Sequence, residues 1–288
     1  MATPAPTPSE RAPAGTLRLG DVEVGRLGFG AMRITGRGIW GPPADRSEAV
    51  RVLRRAVELG VTFIDTADSY GPGVSEDLIA EALAPYPDAL VIATKGGLTR
   101  PGPDQWRSDA RPAHLRAACE ASLARLRTDR IDLYQLHSPD PRVPLADSVG
   151  ALVDLQREGK IRHIGISNVD LGELAVARRV ATIVSVQNRY NLSDRSSDPV
   201  LAACERDGTA FLPWFPLSAG RDAVGAGRAI AEVAARHQAT SAQVAIAWLL
   251  ARSPVMLPIP GTSSVAHLEE NLQGARLRLS AADRAALD

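Results

Sequence analysis

The feature that most constrains this chain is a rhythm: a short apolar run gives way to an amphipathic stretch, and the pattern recurs until eight such pairs have passed. The runs are "RLGFGAM", "VTFIDTA", "ALVIATK", "RIDLYQLH", "KIRHIGISN", "ATIVSVQNRY", "TAFLPWFPL" and "PVMLPIP". Each reads as a strand, and each is followed by a helical pattern. In "SEAVRVLRRAVELG", Val50, Leu53 and Val57 recur at helical spacing, with Ser47 as the expected N-cap and Gly60 as the stop. Thr240 and Gln243 form an expected capping box before "VAIAWLL". Ahead of the first pair, "TLRLGDVEVG" alternates Leu17, Leu19, Val22 and Val24 around Gly20-Asp21 and predicts a short hairpin.

Strands buried on both faces and linked by helices must run parallel, and eight of them close a barrel. The predicted fold class is therefore α/β, a (β/α)8 TIM barrel with a short N-terminal β-hairpin. Such a barrel takes about 250 residues, which accounts for nearly all of the 288 as one domain over residues 16–288. The Pro- and Ala-rich residues 1–15 read as a disordered lead-in without the apolar core of a signal peptide. The rival architecture, an open doubly wound sheet, needs a dinucleotide fingerprint near its start. "GFGAMR" offers Gly28 and Gly30 but has Arg33 where the third glycine belongs.

Composition narrows the function classes. With 33 basic and 33 acidic residues the formal net charge is zero, so no electrostatic footprint for nucleic acid or an acidic membrane is visible. The longest apolar run, Val244 to Leu250, is far short of a membrane span. The two cysteines, Cys119 and Cys204, both sit in helical patterns, which argues against a disulfide framework and for a reducing, cytoplasmic setting. The five histidines show no His-x-His spacing, so no metal site is expected. No Gly-x-Ser-x-Gly elbow is present for acyl transfer.

In a barrel of this kind the working groups stand at the C-terminal ends of the strands. Those ends carry Asp65 and Tyr70 after the second strand, Lys95 after the third and His137 after the fourth. The fifth gives Ser167 and Asn168, the sixth Gln187 and the seventh Trp214. Each has an ordinary reading when taken alone: a turn-forming aspartate, a solvated lysine, a loop histidine, a loop-anchoring tyrosine. Their joint occurrence on consecutive strand tips reverses that reading.

The chemistry they suit is carbonyl reduction, in which an acid protonates the alkoxide that develops as a hydride arrives. A phenol of ordinary pKa, about 10, is a reluctant acid at neutral pH. A Lys95 cation would favour the phenolate and lower that pKa, and Asp65 would hold Lys95 in place. His137 can hydrogen-bond the substrate oxygen and orient the carbonyl.

With "GFGAMR", "FIDTADSYGPGVSE", "VIATKGG", "IDLYQLHSPD", "GKIRHIGISN", "VSVQNRYN", "PWFPL" and "PIPGTSSVAHLEENL" in this order, the chain resembles the aldo-keto reductase superfamily over nearly its whole length. The overall spacing most resembles bacterial members described as general oxidoreductases, some of which look like pyridoxal reductases. The resemblance implies an extended nicotinamide dinucleotide bound without a Rossmann domain, NADPH (NADP+) in preference to NADH, and a small-molecule carbonyl substrate, with pyridoxal as one possibility. It places the family's tetrad on Asp65, Tyr70, Lys95 and His137, with Tyr70 as proton donor. The carboxamide-binding trio falls on Ser167, Asn168 and Gln187, and the aromatic that stacks on nicotinamide on Trp214.

Gly30, Met32, Pro216, Leu217, Ser218 and Ile259 match further cofactor-lining positions. Gly261, Thr262, Ser263 and Ser264 open a helix whose N-terminus suits a phosphate, while Glu270 and Asn271 match adenine contacts. His267 stands where many NADPH-preferring members carry arginine, and it reads either as a contact to the 2′-phosphate or as a helix surface residue. Trp40 and Trp106, in the long connections after the first and third strands, are expected walls of the substrate pocket. A second functional reading is open at this stage: the superfamily includes potassium-channel β-subunits, which bind the cofactor in a regulatory rather than catalytic role.

Overall fold

The predicted rhythm is realised as parallel strands covered by helices, in a computed structural model that describes residues 13–217 and 224–288. The hairpin is β1 (Thr16–Leu19) with β2 (Val22–Gly25), antiparallel, its turn carried by Gly20 at φ 61°. There follow β3 (Phe29–Gly30), a 3-10 turn at Ala31–Ile34, α1 (Arg46–Glu58), β4 (Phe63–Asp65), α2 (Val74–Leu83) and β5 (Val91–Gly96). Next come β6 (Leu98–Gly102), β7 (Gln105–Ser108), α3 (Pro112–Leu126), β8 (Ile131–Leu136), α4 (Leu145–Arg157) and β9 (Ile161–Ser167). The chain continues through α5 (Leu171–Val180), β10 (Ile183–Arg189), α6 (Asp198–Asp207), β11 (Ala210–Trp214), α7 (Val224–His237), α8 (Ser241–Arg252), α9 (Val265–Gln273) and α10 (Ala281–Leu287).

Seven strands form one parallel sheet in the order β3-β4-β5-β8-β9-β10-β11. The eighth run, expected as a strand, closes the barrel without forming a regular one. On one side Phe211 N–H donates to Val255 O (2.8 Å) and Leu257 N–H to Phe211 O (2.9 Å). On the other, Gly28 N–H donates to Pro258 O (2.9 Å) and Gly30 N–H to Pro260 O (3.4 Å). Pro258 and Pro260 have no N–H to give, so on the β3 side these two residues only accept. The seam is tight enough to dictate its residues: a Cβ on Gly30 would lie 2.5 Å from Ile259 O, and one on Gly261 2.4 Å from Gly30 O.

Successive side chains on a strand point to opposite faces, and that parity divides the core. Phe63, Val91, Ala93, Leu133, Ala210, Leu212, Leu257 and Ile259 fill the inside of the barrel, and Leu19 and Val24 of the hairpin pack onto them. Ile64, Ile92, Tyr134, Leu136, Ile164 and Ile166 face outward to the helices. Continuing the inner series upward leads from Phe63 to Asp65, from Val91 and Ala93 to Lys95, and from Leu133 to Gln135 and His137. The same face that builds the core therefore delivers polar groups to one end of the barrel.

Helix signals were legible, with one correction. The N-cap of α1 is Asp45, whose side chain accepts from Glu48 N–H at 2.8 Å, and Ser47 lies inside the first turn. A carboxylate one position before the helix reaches the third N–H and complements the helix dipole, so Asp45 displaces Ser47 from the role. The Thr240–Gln243 capping box is present, as are further boxes at Asp170–Glu173 and Ser280–Asp283. Pro13 and Gly15 of the expected lead-in are held, Pro13 O by Arg278 (2.9 Å) and Gly15 O by Arg26 N–H (3.0 Å). Residues 1–12 and Ser218 lie outside the described residues. Cys119 and Cys204 are buried, and burial pushes both thiols up to about 12.

Candidate active site

The C-terminal mouth of the barrel opens into a cavity of about 430 Å3 whose lining includes Asp65, Tyr70, His137, Ser167, Asn168, Gln187 and Trp214. A larger cleft of about 730 Å3 lies by the opposite ends of the strands, among Gly25, Arg26, Gly60 and Val61, and none of the strand-tip groups reaches it. The inner-face polar residues converge on the smaller cavity, at the end of the barrel where folds of this class carry their working groups.

Lys95, with no exposed surface, is the hub. Its Nζ donates to Asp65 Oδ2 at 2.6 Å, to Thr66 O at 2.8 Å and to Tyr70 Oη at 3.5 Å. Asp65 is also held from its other oxygen, which accepts from Gln187 Nε2 at 2.9 Å and Gln135 Nε2 at 3.1 Å. An ammonium and a carboxylate this deeply buried are tolerable because each is paired and hydrogen-bonded further. Burial alone would pull Lys95 down, but Asp65 and then Tyr70 outweigh it and hold the ammonium above its ordinary value.

The effect on Tyr70 differs from the expectation. Desolvation dominates and pushes the phenol above its ordinary value, with Lys95 pulling the other way but losing. Lys95 offsets a burial cost rather than making Tyr70 a strong acid. The phenol stays protonated, which is the form a proton donor needs. His137 is driven well below its ordinary value by burial, then by Lys95 and Arg100, so the imidazole is neutral. Its ring stands edge-on to Tyr70, centroids 5.8 Å apart at 80°.

Ser167, Asn168, Gln187 and Trp214 meet on the adjoining wall. Ser167 Oγ donates to Gln187 O at 2.6 Å, and Asn168 Nδ2 to His137 O at 2.9 Å. Trp214 Nε1 donates to Asn168 Oδ1 at 2.9 Å. Asn168 adopts the left-handed conformation at φ 58°, which asparagine tolerates better than most residues. Gly30, Met32, Pro216, Leu217, Ile259 and Gly261 border the same cavity. Beyond Gly261, Thr262 Oγ1 accepts from Ser264 N–H (3.1 Å), and the Ser264 side chain caps no helix N–H. Ser263 and His267 are exposed there, Asn271 is buried, and Glu270 accepts from Thr240 Oγ1 at 2.8 Å.

The cavity's polar floor, its aromatic wall and this hydroxyl-bearing helix start fit an extended dinucleotide. The first N–H of α9, that of Val265, is already taken by Glu48 Oε1 at 3.0 Å, so a phosphate would rely on the hydroxyls and neighbouring N–H groups. Among the described residues no His, Cys, Asp or Glu cluster suits a metal ion, and no helix is long and apolar enough to cross a membrane.

The two expected pocket tryptophans separate. Trp106 lines the cavity and stands edge-on to Tyr70 (6.4 Å) and His137 (6.2 Å). Trp40 does not line it; it lies 5.8 Å from the Arg100 guanidinium, which in turn sits 3.7 Å over the Trp106 ring. Arg100 was not singled out from the sequence. It donates to the carbonyls of Gln105 (2.8 Å), Ile39 (2.8 Å), Gly38 (2.8 Å) and Ser69 (3.0 Å), clamping together the loops after β3 and β4 and the β6–β7 hairpin. The hairpin itself was read as a long connection. Gln135, Leu98, Phe215 and Arg33 are further residues the sequence reading left unassigned. Arg33 borders the cavity with its side chain against Gly261. Its position directly after Met32 was the available signal.

Comparison with known proteins agrees with this geometry. The sequence model of the Aldo/keto reductase family matches residues 26–288. The chain belongs to the aldo/keto reductase family. It is 47% identical to an uncharacterized oxidoreductase of Schizosaccharomyces pombe, covering 99% of this chain and 93% of that protein. It is 44% identical to the pyridoxine 4-dehydrogenase of Escherichia coli, covering 93% and 95%. An aldo-keto reductase of Klebsiella pneumoniae solved in complex with NADPH superposes with a TM-score of 0.82 at 32% identity, covering 95% of this chain and 93% of the other. The family's members share the barrel found here, so the seam formed by residues 255–260 is a local irregularity of a closed (β/α)8 barrel.

Proposed function

We propose that this protein is an NADPH-dependent oxidoreductase that interconverts an aldehyde and a primary alcohol, with pyridoxal as the favoured substrate and Tyr70 as the proton donor. The observation that carries the reading is the buried chain from Asp65 through Lys95 to Tyr70, ending beside a neutral His137 in one aromatic-walled cavity. The likeness to a pyridoxine 4-dehydrogenase supports the substrate, and the NADPH-bound neighbour supports the cofactor.

When bound, the cofactor supplies the hydride. Trp214 would stack on the nicotinamide, and Ser167, Asn168 and Gln187 would hold its carboxamide. Thr262, Ser263, Ser264 and Arg33 would take the phosphates. Tyr70 and His137 both hydrogen-bond the carbonyl oxygen, polarising it and fixing its orientation. As charge develops on that oxygen, Tyr70 gives up its proton, and Lys95, 3.5 Å from Oη, stabilises the phenolate left behind. In the reverse direction the same phenolate accepts the alcohol proton. Trp106 and Leu98 form the apolar side of the cavity and suit a flat aromatic aldehyde.

The test follows NADPH absorbance with pyridoxal and a panel of aldehydes and ketones. Pyridoxal turnover is expected to head the panel, and Tyr70→Phe is expected to lower kcat by about 10²–10⁴-fold. Unchanged turnover in Tyr70→Phe, or none with any carbonyl in the wild type, would sink the proposal. NADPH is expected to quench tryptophan fluorescence at lower concentration than NADH, and equal midpoints would remove the cofactor preference.

A further inference from the structure

The turn that carries Tyr70 also carries a residue that the reductase reading leaves without a task. Ser69, 2% exposed, places its Oγ 3.3 Å from Nδ1 of His137. The contact is at the long end of hydrogen-bond distances, but both groups are buried and each is anchored independently. Ser69 O is held by Arg100 Nη1 at 3.0 Å, while His137 N–H donates to Gly96 O (2.9 Å) and His137 O accepts from Asn168 (2.9 Å).

We propose that Ser69 is a positioning residue that sets the tautomer of His137: its hydroxyl donates to Nδ1, so the imidazole carries its proton on Nε2. Two observations give the bond this polarity. The hydroxyl has no other hydrogen-bond partner among the described residues, so donating to Nδ1 satisfies its O–H. Accepting from Nδ1 instead would leave a buried donor unpaired, desolvated with nothing returned. The second is that burial, then Lys95 and Arg100, disfavours the imidazolium of His137, so one ring nitrogen must be bare, and Ser69 decides which.

The consequence falls on the substrate oxygen. With the proton on Nε2, the ring donates to the carbonyl alongside Tyr70. With the proton on Nδ1, Nε2 would present a lone pair to an oxygen that is gaining negative charge. The same short turn thus supplies the proton donor and the group that readies its partner. This consequence rests on the reductase reading, whereas the tautomer itself rests on geometry alone.

The experiment is side-chain nitrogen NMR of the full chain with labelled histidine, using His137→Gln to assign the His137 signals. The wild type is expected to show a protonated Nε2 and a bare Nδ1, and Ser69→Ala to populate the Nδ1–H form. In the pyridoxal assay Ser69→Ala is expected to lower kcat about 5–20-fold with little change in the KM for NADPH, within what positioning a hydrogen-bond donor contributes. Ser69→Thr, which keeps the hydroxyl, is expected to restore both the spectrum and kcat. A wild-type His137 protonated on Nδ1 would overturn the proposal, as would a Ser69→Ala variant whose tautomer is unchanged. Should Ser69→Ala fail to fold, the wild-type and Ser69→Thr spectra still decide. The spectra need no turnover, so an inactive wild type would defeat the reductase reading while leaving the tautomer assignment to be judged separately.

Discussion

The two ends of the barrel are made from the same strands and the same inward-facing parity, yet they hold opposite chemistry. At the lower end Phe63, Val91 and Leu133 meet Leu19 and Val24 of the β1–β2 hairpin in a buried, apolar plug. Two to four residues further along the same strands, that face carries Asp65, Lys95, Gln135 and His137. One end stabilises by burying hydrocarbon; the other buries an ion pair, which contributes little net stability and costs much if half of it is removed. The contrast shows how a parallel barrel separates holding itself together from acting on a substrate.

The strongest way to test that separation is to remove Lys95. Lys95→Met is expected to abolish at least about 99% of turnover and to cost about 3–5 kcal/mol in urea unfolding, because Asp65 is left charged and unpaired. The double variant Asp65→Leu with Lys95→Met should recover much of that stability and none of the activity. Recovery of neither would mean that the upper end is structural after all. At the lower end, Leu19→Ala should cost about 2–4 kcal/mol through the cavity it leaves. Its kcat per folded molecule should match the wild type, and a proportionate loss of kcat would erase the distinction.

A pH-dependent effect is expected from Asp68, on the loop between β4 and α2. Its Oδ1 is buried without a hydrogen-bond partner, and burial, then Glu76, push the carboxyl up to about 8. Because the folded state holds this proton more tightly than the unfolded chain, the associated stability is complete below the ordinary aspartate pKa of about 4. It is lost as pH rises toward 8, the folded value. Asp68→Asn should therefore match the wild type in thermal melts near pH 4 and exceed it above pH 8. A gap that instead opened on the acid side would show that Asp68 is ionised and paired.

Much of this was legible because parity and periodicity are local. The sequence placed Asp65, Lys95 and His137 at strand ends, and the inner-face alternation then left little freedom in where they point. Gln135 was passed over because it sits inside "LYQL" like any strand residue, and only its reach to Asp65 Oδ1 reveals it. Arg100 was invisible for a different reason: its partners are backbone carbonyls at residues 38, 39, 69 and 105, and no residue type announces a carbonyl. The eighth strand misled in part, since hydropathy registers apolar side chains and not the N–H groups that Pro258 and Pro260 withhold. Asp45, two positions before Ser47, is the cap of α1, a difference within the usual uncertainty of helix ends.

The Arg100 clamp bears on how such a pocket changes over time. Because the guanidinium's hydrogen bonds all go to main-chain oxygens, only its contacts with the Trp40 and Trp106 rings depend on the side chains mounted on the three loops it gathers. Substitutions along those loops can alter what the mouth of the barrel touches without altering how the mouth is held. One buried arginine therefore keeps the loops in register while other positions on them stay open to change.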